Sequence, residues 1–555
     1  IYGANASGKS SLIKAIRACV GMIFSSHNYN ENTIFAFTPF KFGSIGKPST
    51  FFIRFLLEGI EYEYSFELNK VEILKEALYY YPNGRRSLIF SRDETKGPDK
   101  KDIYEFRSVI RRPMDVAANT SRKTLFVSRA SQMDRDVAKD VFRYFNERFI
   151  LNYFGYNSFS VERLLNENKE QFLNVLRIAD SDIVKIDSRH ENKVLSTAVI
   201  DPADNQILSV EDIQKPQLVI TTYHRNNPDV PFNFFAEESD GTQRLFSMML
   251  TILDIVKNNK ILLIDEIETQ LHIKLVEYII GLFNKSESAQ LIYTTHNTYL
   301  LNTNKLRKDQ IYFVNKRDDG SSDLYSLFDY KDFRDGLDAE KAYLQGRFDA
   351  IPYIDEQTDS QSVKTNPEKS KIETDMGRQI RKSKGKTMKP NFFVFCEGES
   401  EVAYISHLRS QYRAPIQIIP RKSDSNISVR YIENCKREYV ATQNDKTFLM
   451  FDLDVNGMLE HLLSIPDAIL MVSNPCIELW YLLHFEECHA ELTQNTCIKK
   501  LKRHLEHYTK GTLALNEKQQ LSEKTSKATA RAKVLKTYNN PSTTIYKMIE
   551  LLESS

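Results

Sequence analysis

Apolar and polar residues alternate with a period of two from about Ser49 to Tyr81. The alternation is most regular over residues 61–68, where Glu and Ser stand between Tyr, Phe and Leu. This pattern predicts half-buried β-strands, because successive side chains of a strand point to opposite faces of the sheet. Turn residues at 69–70 and 82–84 separate the strands. The chain is therefore predicted to carry a β-rich arm near its start.

Helical spacing follows, from roughly Arg122 to Arg189. Within residues 134–149 the apolar positions recur with the period of a helix, at Val137, Val141, Phe142, Phe145 and Phe149. We interpret residues 101–189 as a helical insertion in the first domain. A further apolar helix is predicted over residues 245–256.

Continuous apolar runs predict strands that are buried on both faces, as in parallel sheets. Two such runs, residues 260–264 and 290–295, follow the apolar helix. Two more occur late in the chain, at residues 391–396 and 446–451. Between this later pair we expect a helix at 402–412, a strand at 416–419 and a helix at 427–442. The resulting βαβαβ order predicts a parallel sheet.

The segment between these regions, residues 355–390, is polar and charged and has a basic end. Such a composition favours a flexible linker over a packed segment. We therefore predict an α/β protein with two domains, residues 1–354 and residues 391–555.

Composition narrows the class of protein. The 555 residues are 41% hydrophobic and 27% charged, which is typical of a globular protein. The net charge is only +1, so the overall charge does not indicate a nucleic-acid partner, and any basic surface must be local. The six cysteines form no C-x-x-C pair. Without zinc or disulfide frameworks and without an apolar run of membrane-spanning length, a cytoplasmic location and no membrane partner are expected. Because the chain begins at Ile1 inside a motif, we interpret it as a fragment.

That motif is the pattern G-x-x-x-x-G-K-[ST], at Gly3, Gly8, Lys9 and Ser10. Glycines let the backbone bend so that its N–H groups surround phosphate oxygens, and a helix follows whose amino-terminal end faces the phosphates. Lys9 is predicted to reach the β- and γ-phosphates of ATP, and Ser10 to hold Mg²⁺. Two further loop residues, Asn5 and Ser11, complete the predicted nucleotide-binding set.

The second half of the predicted ATP site lies beyond the insertion. Asp265 ends a buried strand and is expected beside the Mg²⁺, and Glu266 is expected to orient or deprotonate the attacking water. The next apolar run ends at His296, which is predicted to sense the γ-phosphate.

The order of these elements, with Ser239, Gly241 and Gln243 before the apolar helix, resembles the ATPase heads of the ABC type, including the SMC-like ones. The resemblance implies that these three residues form the signature sequence, which caps the γ-phosphate of a partner head. It therefore implies homodimers or higher oligomers formed through the heads. Glu238 and Asp240 depart from the usual Leu and Gly of that signature. Residues 268–272 occupy the D-loop position, and residues 37–42 are only a positional guess for the Q-loop.

Residues 238–244, 295–301 and 346–352 carry phrases similar to those of ATPases from bacterial phage-defence loci. This broad group includes the overcoming-lysogenization-defect (OLD-like) proteins and the ATPase of the PARIS system. The resemblance implies that the ATPase is a sensor or scaffold and that a partner or fused nuclease does the damage. A phage-encoded trigger protein is a candidate partner, although the sequence does not identify the trigger.

Acidic residues follow the two late strands, Glu397 after one and Asp452 and Asp454 at the end of the other. The carboxyl ends of parallel strands meet at one edge of a sheet, so these side chains are expected to lie together. Hard carboxylate oxygens suit Mg²⁺ or Mn²⁺, and such a site can cleave a phosphodiester. The alternative is an Asp-rich loop that caps a helix.

The arrangement of Glu397 at one strand end and Asp452 and Asp454 at another resembles that of the Toprim fold of topoisomerases, primases and OLD-type nucleases. Glu401 matches the second acid of that fold's E-G-x-x-E form, and the resemblance implies that it is a further metal ligand. Residues 473–485 and 540–544 resemble RloB-like proteins. Either Glu478 or His484 is expected to reach the acid cluster, and His484 is equally well explained as structural.

The basic stretch from Lys499 to Lys536 has two interpretations: it binds a phosphate backbone, or it is a solvated helix face.

Taken together, the two sets of motifs predict an ABC-type ATPase fused to a metal-dependent nuclease that cuts DNA or tRNA in phage defence. The rivals are an ATP-driven repair or scaffolding protein whose last domain binds without cutting, and a transporter ATPase.

Overall fold

The computed structural model describes residues 1–352 and 385–554, apart from residues 36, 43–45, 151–157, 179–181, 201–206, 270, 335 and 421–426. The chain forms two compact units. One comprises residues 9–296, and the other comprises residues 1–8 together with residues 297–555. Most of the predicted linker, residues 355–384, and Gln270 of the predicted D-loop lie outside the described residues.

The first unit to be described, residues 9–296, contains both helices and strands. Its helices are α1 (Lys9–Ser25), α2 (Lys100–Ile103), α3 (Pro113–Ala118), α4 (Phe126–Gln132), α5 (Asp136–Arg148), α6 (Ser158–Glu167), α7 (Lys169–Ile178), α8 (Phe234–Glu237), α9 (Asp240–Lys257) and α10 (Ile273–Lys285). Its strands are β1 (Ser49–Leu57), β2 (Ile60–Leu68), β3 (Ile73–Tyr80), β4 (Ser87–Asp93), β5 (Tyr104–Phe106), β6 (Phe149–Ile150), β7 (Ile183–Ile200), β8 (Ile207–His224), β9 (Asn227–Asn233), β10 (Ile261–Ile264) and β11 (Gln290–Tyr293).

The predicted β-rich arm is an antiparallel sheet in the order β1-β2-β3-β4-β5. Tyr64 and Phe66 alternate with more exposed neighbours on β2 and are almost fully buried. Phe66 also stacks on Phe51 of β1 at a centroid distance of 4.8 Å. Aromatic side chains at period two thus bury one face of the sheet, as the sequence pattern predicts.

The helical prediction that ran to Arg189 is wrong at its end. Between Phe126 and Ile178 the described residues form helices α4 to α7, interrupted by the short strand β6, so Phe149 lies in a strand and not in the predicted helix. β7 begins at Ile183 and pairs with β8 as two antiparallel 18-residue strands. Ile183 and Ile186 are buried. These β-branched residues gain a long ladder of partners from β8, and that pairing outweighs the helical spacing upstream.

A short parallel sheet in the order β11-β10-β6 lies beside α9 and α10. Leu262 of β10 packs in one apolar cluster with Phe246 and Met249 of α9 and Ile279 of α10. The apolar helix and the buried strand β10 predicted in this region are confirmed. The prediction that the next run forms a strand buried on both faces is wrong in its burial, because β11 is exposed at Gln290 and only partly buried from Leu291 to Tyr293.

The second unit begins with residues 1–8 and continues at residue 297. Its strands are β12 (Tyr312–Lys316), β13 (Ser322–Ser326), β14 (Phe392–Cys396), β15 (Ile416–Pro420), β16 (Lys446–Asp452), β17 (Ala468–Asn474) and β18 (Ser542–Thr543). Its helices are α11 (Ala339–Leu344), α12 (Glu399–Tyr412), α13 (Val429–Lys436), α14 (Met458–Leu463), α15 (Glu478–Leu483), α16 (Gln494–Leu501), α17 (Leu515–Val534) and α18 (Tyr546–Glu553).

The sheet of this unit has the order β15-β14-β16-β17-β18. Its first four strands are parallel, which confirms the prediction, and β18 is antiparallel. After β14 the chain crosses to one side to form β15 and then returns to the other side to form β16. The order therefore reverses between β14 and β16, and in open parallel sheets the carboxyl ends of the strands at such a point are where ligands bind. The helix expected over residues 427–442 is shorter than predicted and ends at Lys436.

The hairpin β12–β13 pairs with the residues that precede the glycine-rich loop. Tyr2 forms a parallel bridge with Phe313, and its N–H donates to the carbonyl of Tyr312 at 2.8 Å.

No described helix in either unit is long and apolar enough to cross a membrane.

Candidate functional site

The first half of the glycine-rich loop is closely packed in the second unit. The backbone at Gly3 leaves no room for a side chain, since a Cβ there would lie 2.5 Å from the carbonyl oxygen of Val314. Gly8 has a φ of 111°, which favours glycine, and Ser322 occupies the space a Cβ would take. Ser322 Oγ also donates to the carbonyl of Ser7 at 2.6 Å. Of the other predicted loop residues in this unit, Asn5 is exposed.

Lys9 is the first residue of α1, and its side chain is buried. Burial lowers the pKa of Lys9, whereas the nearby carboxylates of Glu266, Asp265 and Glu268 act in the opposite direction. The lysine and the acids predicted for the ATP site thus lie within electrostatic reach in the unit of residues 9–296. Ser10 and Ser11 follow in the first turn of α1.

Asp265 and Glu266 leave the end of β10 in a fixed turn. Thr294 Oγ1 donates to Asp265 Oδ1 at 2.6 Å and accepts from the N–H of Glu266 at 2.8 Å. Glu266 has a φ of 53°, a conformation that costs a non-glycine residue energy and is common at functional sites. Both acids are exposed, so their carboxylates remain accessible to solvent and to a bound phosphate.

The predicted signature residues lie at the start of α9. Ser239 is the N-cap, and its Oγ accepts from the N–H of Thr242 at 3.2 Å. Ser239 and Gly241 are exposed, while Gln243 Nε2 donates inward to the carbonyl of Glu238 at 2.9 Å. The amino-terminal end of an 18-residue helix is therefore open to solvent and favours anions.

His296 follows β11 and is exposed. Its backbone N–H donates to Glu268 Oε1 at 2.6 Å, so the residue after the β10 turn holds the loop that carries His296. The other oxygen of Glu268, Oε2, is buried and accepts no hydrogen bond from a described residue. In the region guessed for the Q-loop, Phe40 and Phe42 are exposed and pack edge to face.

In the second unit, Glu397 and Asp452 come together at the carboxyl ends of β14 and β16. Glu397 follows the last residue of β14, and Asp452 is the last residue of β16. Glu397 Oε2 accepts from the backbone N–H of Asp452 at 2.8 Å. The two residues are 55 apart in sequence, and the parallel register of their strands makes them neighbours.

Glu401 lies in the first turn of α12, directly above the same strand end. Its Oε2 accepts from the N–H of Gly398 at 3.1 Å in a capping arrangement, and the side chain is buried. Asp454 is exposed. Burial, together with the charges of Glu401, Glu478, Glu397 and Asp454, raises the pKa of Asp452 to about 9. The acids therefore form one electrostatically coupled group around Asp452.

Of Glu478 and His484, it is Glu478 whose charge acts on Asp452. Glu478 is fully buried at the start of α15 and adds to the negative field at Asp452. Tyr508 donates its hydroxyl to Glu478 Oε1 at 3.0 Å. Glu478 Oε2 is buried and accepts no hydrogen bond from a described residue.

His484 instead lies with its ring edge against Trp480, at a centroid distance of 5.0 Å. Its Nδ1 bonds the carbonyl of Trp480 at 2.8 Å, so the Nδ1–H is the donor. Burial lowers the pKa of His484 to about 4. This histidine is a neutral group of the core.

Lys510 is an exposed cation near the acids. It acts electrostatically on Glu401 and opposes the rise of that residue's pKa. Its loop is held over the start of α12, since the N–H of Gly511 donates to Ser400 Oγ at 3.0 Å. The lysine lies 109 residues beyond Glu401 in the sequence, and no local pattern marks it.

The basic stretch beyond residue 498 is partly engaged within the domain. Lys500 pairs with Glu486 at 2.9 Å, and Lys524 lies 4.1 Å above the ring of Phe485. Arg531 donates to the carbonyl of Leu483 at 2.7 Å. These contacts show that part of the stretch stabilises the helices that surround α15.

The carboxylates fit a hard divalent cation in kind. All the donors are oxygens, which Mg²⁺ and Mn²⁺ prefer, and Glu478 offers a buried oxygen with no protein donor. Across the described ranges, no set of three or more His, Cys, Asp or Glu residues is closely enough arranged to enclose a metal ion.

Two family models match the chain. One, described as "AAA domain, putative AbiEii toxin, Type IV TA system", matches residues 1–302. The other, described as "RloB-like protein", matches residues 392–552. The predicted fusion of a defence-type ATPase with an RloB-like domain is therefore confirmed.

Among solved structures, the chain is similar to an SMC head bound to the C-terminal winged-helix domain of ScpA, with 18% sequence identity and a TM-score of 0.28. The match covers 58% of this chain and 88% of that chain. It is also similar to the SMC head domain from Thermotoga maritima, with 16% identity, the same two shares covered and a TM-score of 0.26. A search of curated proteins finds no match.

Proposed function

The chain belongs to the AAA-domain family whose model matches residues 1–302, and from this premise we propose that its first domain, residues 1–354, binds and hydrolyses ATP. Lys9 is the cation for the phosphates, and Ser10 and Asp265 are the oxygen ligands for Mg²⁺. Glu266 is the base that orients the attacking water. The support is the electrostatic coupling of Lys9 with Asp265 and Glu266 and the fixed turn that presents both acids.

The exposed amino-terminal end of α9 supports the proposed role of the signature. Ser239 and Gly241 face solvent, as they must if they cap the γ-phosphate of a second head. We place the remaining nucleotide contacts at Gly3, Asn5, Gly8, Ser11, Gln243 and His296. ATP then joins two copies of the chain through their heads.

For the domain of residues 391–555 we propose a metal-dependent nuclease. One observation carries this proposal: buried Glu478, whose Oε2 accepts no hydrogen bond from a described residue, adds its charge to the carboxylates at the ends of β14 and β16. A fully buried carboxylate oxygen without a donor is costly, so a native protein keeps one where it has a use. The ligands we assign to Mg²⁺, or alternatively Mn²⁺, are Glu397, Glu401, Asp452, Asp454 and Glu478.

A divalent cation in such a site supplies Lewis acidity and a water of lowered pKa. The chain itself contributes the positioning. Glu397 is held by the backbone of Asp452, Glu478 is held by Tyr508, and Lys510 offers a cation to a phosphate of the substrate. The substrate class is nucleic acid, either DNA or tRNA, and the biological role is phage defence triggered by an infection signal.

The test is a cleavage assay on the full chain with labelled DNA and tRNA, in Mg²⁺, in Mn²⁺ and in EDTA. Glu397→Gln, Asp452→Asn and Glu478→Gln are compared with Glu433→Gln, an exposed acid of α13. We expect cleavage only with metal, a loss of about 100-fold or more for the three site variants, and wild-type cleavage for the control. Equal cleavage by all four variants, or binding without cleavage by the wild type, would favour the rival in which this domain is a binding module.

A further inference from the structure

Residues 303–391 lie between the two matched regions, and the described part of this segment is folded. The hairpin β12–β13, helix α11 and the turn at residues 345–350 belong to the same compact unit as the C-terminal domain. We define residues 311–350 as the platform. Its contacts toward the C-terminal domain are polar, and those made by Arg347 are buried.

Arg347 is the central contact of the platform. Its side chain has no exposed surface, and its guanidinium donates to three groups of the C-terminal domain. Nη2 lies 2.7 Å from Thr442 Oγ1 and 3.1 Å from Asp445 Oδ1, and Nη1 bonds the carbonyl of Val440. A buried guanidinium is stable only where charge and hydrogen bonds replace water. Asp445 and its neighbours provide this replacement.

The receiving site is itself built around Asp445. Oδ1 accepts from the N–H of Asn391 at 2.9 Å, and Oδ2 accepts from the N–H of Thr442 at 3.0 Å. The carboxylate thus joins the residues that precede β14 and β16. Gln345 of the platform extends the contact, because its Oε1 accepts from the N–H of Val440 at 3.3 Å.

A second set of contacts covers the chain that leads into β14. Lys389 Nζ pairs with Asp349 at 2.5 Å, and the N–H of Lys389 donates to the carbonyl of Arg347 at 3.2 Å. The N–H of Met388 donates to Asp332 at 2.9 Å, and Met388 is buried. The contact therefore extends from Asp332 through Asp349.

The platform also holds Tyr2, which leads into the glycine-rich loop. Tyr2 packs on Tyr343 at a centroid distance of 5.8 Å, and Phe313 stacks on Phe348 at 4.8 Å. Arg347 and Phe348 are adjacent, so one turn joins this aromatic cluster to the Asp445 site. The contacts lie at the amino-terminal ends of β14 and β16, whereas Glu397 and Asp452 lie at the carboxyl ends.

We propose that the platform is a docking surface that holds the C-terminal domain, residues 388–552, by non-covalent contacts keyed on Arg347 in the Asp445 site. The covalent connection through residues 353–384 is then not required to keep the domain in place. Its partner is this chain's own effector-type domain, recognised by a buried carboxylate flanked by the carbonyl of Val440 and the hydroxyl of Thr442. The platform holds the domain by the amino-terminal ends of its strands, and the proposed acid site lies at the other end of the sheet.

The test uses the full chain with a specific protease site inserted after residue 365 and an affinity tag at the amino-terminal end. After cleavage, the two fragments are analysed by size-exclusion chromatography over a dilution series. We expect the wild-type fragments to elute together. Arg347→Met should weaken their association by about 100-fold or more, because it leaves Asp445 buried without its cation.

Arg307→Met is the matched control, since Arg307 pairs with Asp309 at 3.0 Å on the surface and its side chain is 74% exposed. It should associate like the wild type. Asp445→Asn is a second, nearly isosteric variant, and circular dichroism before cleavage verifies that each variant is folded. Separation of the cut wild-type fragments at micromolar concentration would overturn the proposal, as would equal association of folded Arg347→Met and Arg307→Met.

Discussion

His484 provides a quantitative check on the core beneath the acid site. The ring is 1% exposed, Nδ1–H donates to Trp480, and Nε2 is buried without a partner among the described residues. Protonation would place an unpaired charge there, and burial accordingly lowers the pKa of His484 to about 4. In the unfolded chain the pKa of a histidine is about 6.5. Between these values the unfolded state binds more protons than the folded state, so stability falls as pH falls.

The magnitude follows from linkage. The stabilisation is complete above a pH of about 6.5, and between pH 7 and pH 5 the two pKa values predict a loss of about 2 kcal/mol in the free energy of unfolding. The chain has one tryptophan, Trp480, next to this ring. Urea unfolding followed by tryptophan fluorescence therefore measures the stability of this domain specifically.

His484→Asn is the informative variant, because it does not titrate and keeps a side-chain donor for the carbonyl of Trp480. Carboxylates also titrate in this range, so the quantity to compare is the change from pH 7 to pH 5 in wild type minus the same change in the variant. We expect a difference of about 2 kcal/mol. Equal pH dependence in both proteins would refute the neutral, buried assignment.

Two further predictions concern the unit of residues 9–296. Arg92 is buried and pairs with Glu94 at 2.8 Å. Arg92→Met should therefore lower the free energy of unfolding by about 3–5 kcal/mol, because it leaves a buried carboxylate without its cation. The control Arg107→Met, at a side chain that is 64% exposed, should lower it by less than about 1 kcal/mol. Thermal unfolding of both variants checks this, and similar shifts would contradict it. Glu266→Gln should retain ATP but slow phosphate release by about 10²- to 10⁴-fold, with exposed Glu287→Gln as the control. Wild-type turnover in Glu266→Gln would remove Glu266 from the proposed role.

Much of the fold follows from local patterns. The arm strands, α9, and the apolar strands β10, β14 and β16 could be predicted because each buries residues at a period set by its own backbone. The errors occurred where pairing partners decide the conformation. Residues 183–189 form a strand because β8 lies beside them, and the helix of residues 427–442 ends early, before the loop at Val440 that binds Arg347.

The candidate sites divide in the same way. The sequence alone determined the glycine-rich loop and the acids at strand ends, because the phosphate-binding turn and the end of a buried strand are local features. Only the tertiary structure brought Glu478 to the acids and Arg347 to Asp445. Helix α15 is buried all round, so no periodicity marks its inward face. Arg347 lies 98 residues from Asp445, and its burial is tolerable only because the fold brings that carboxylate to it.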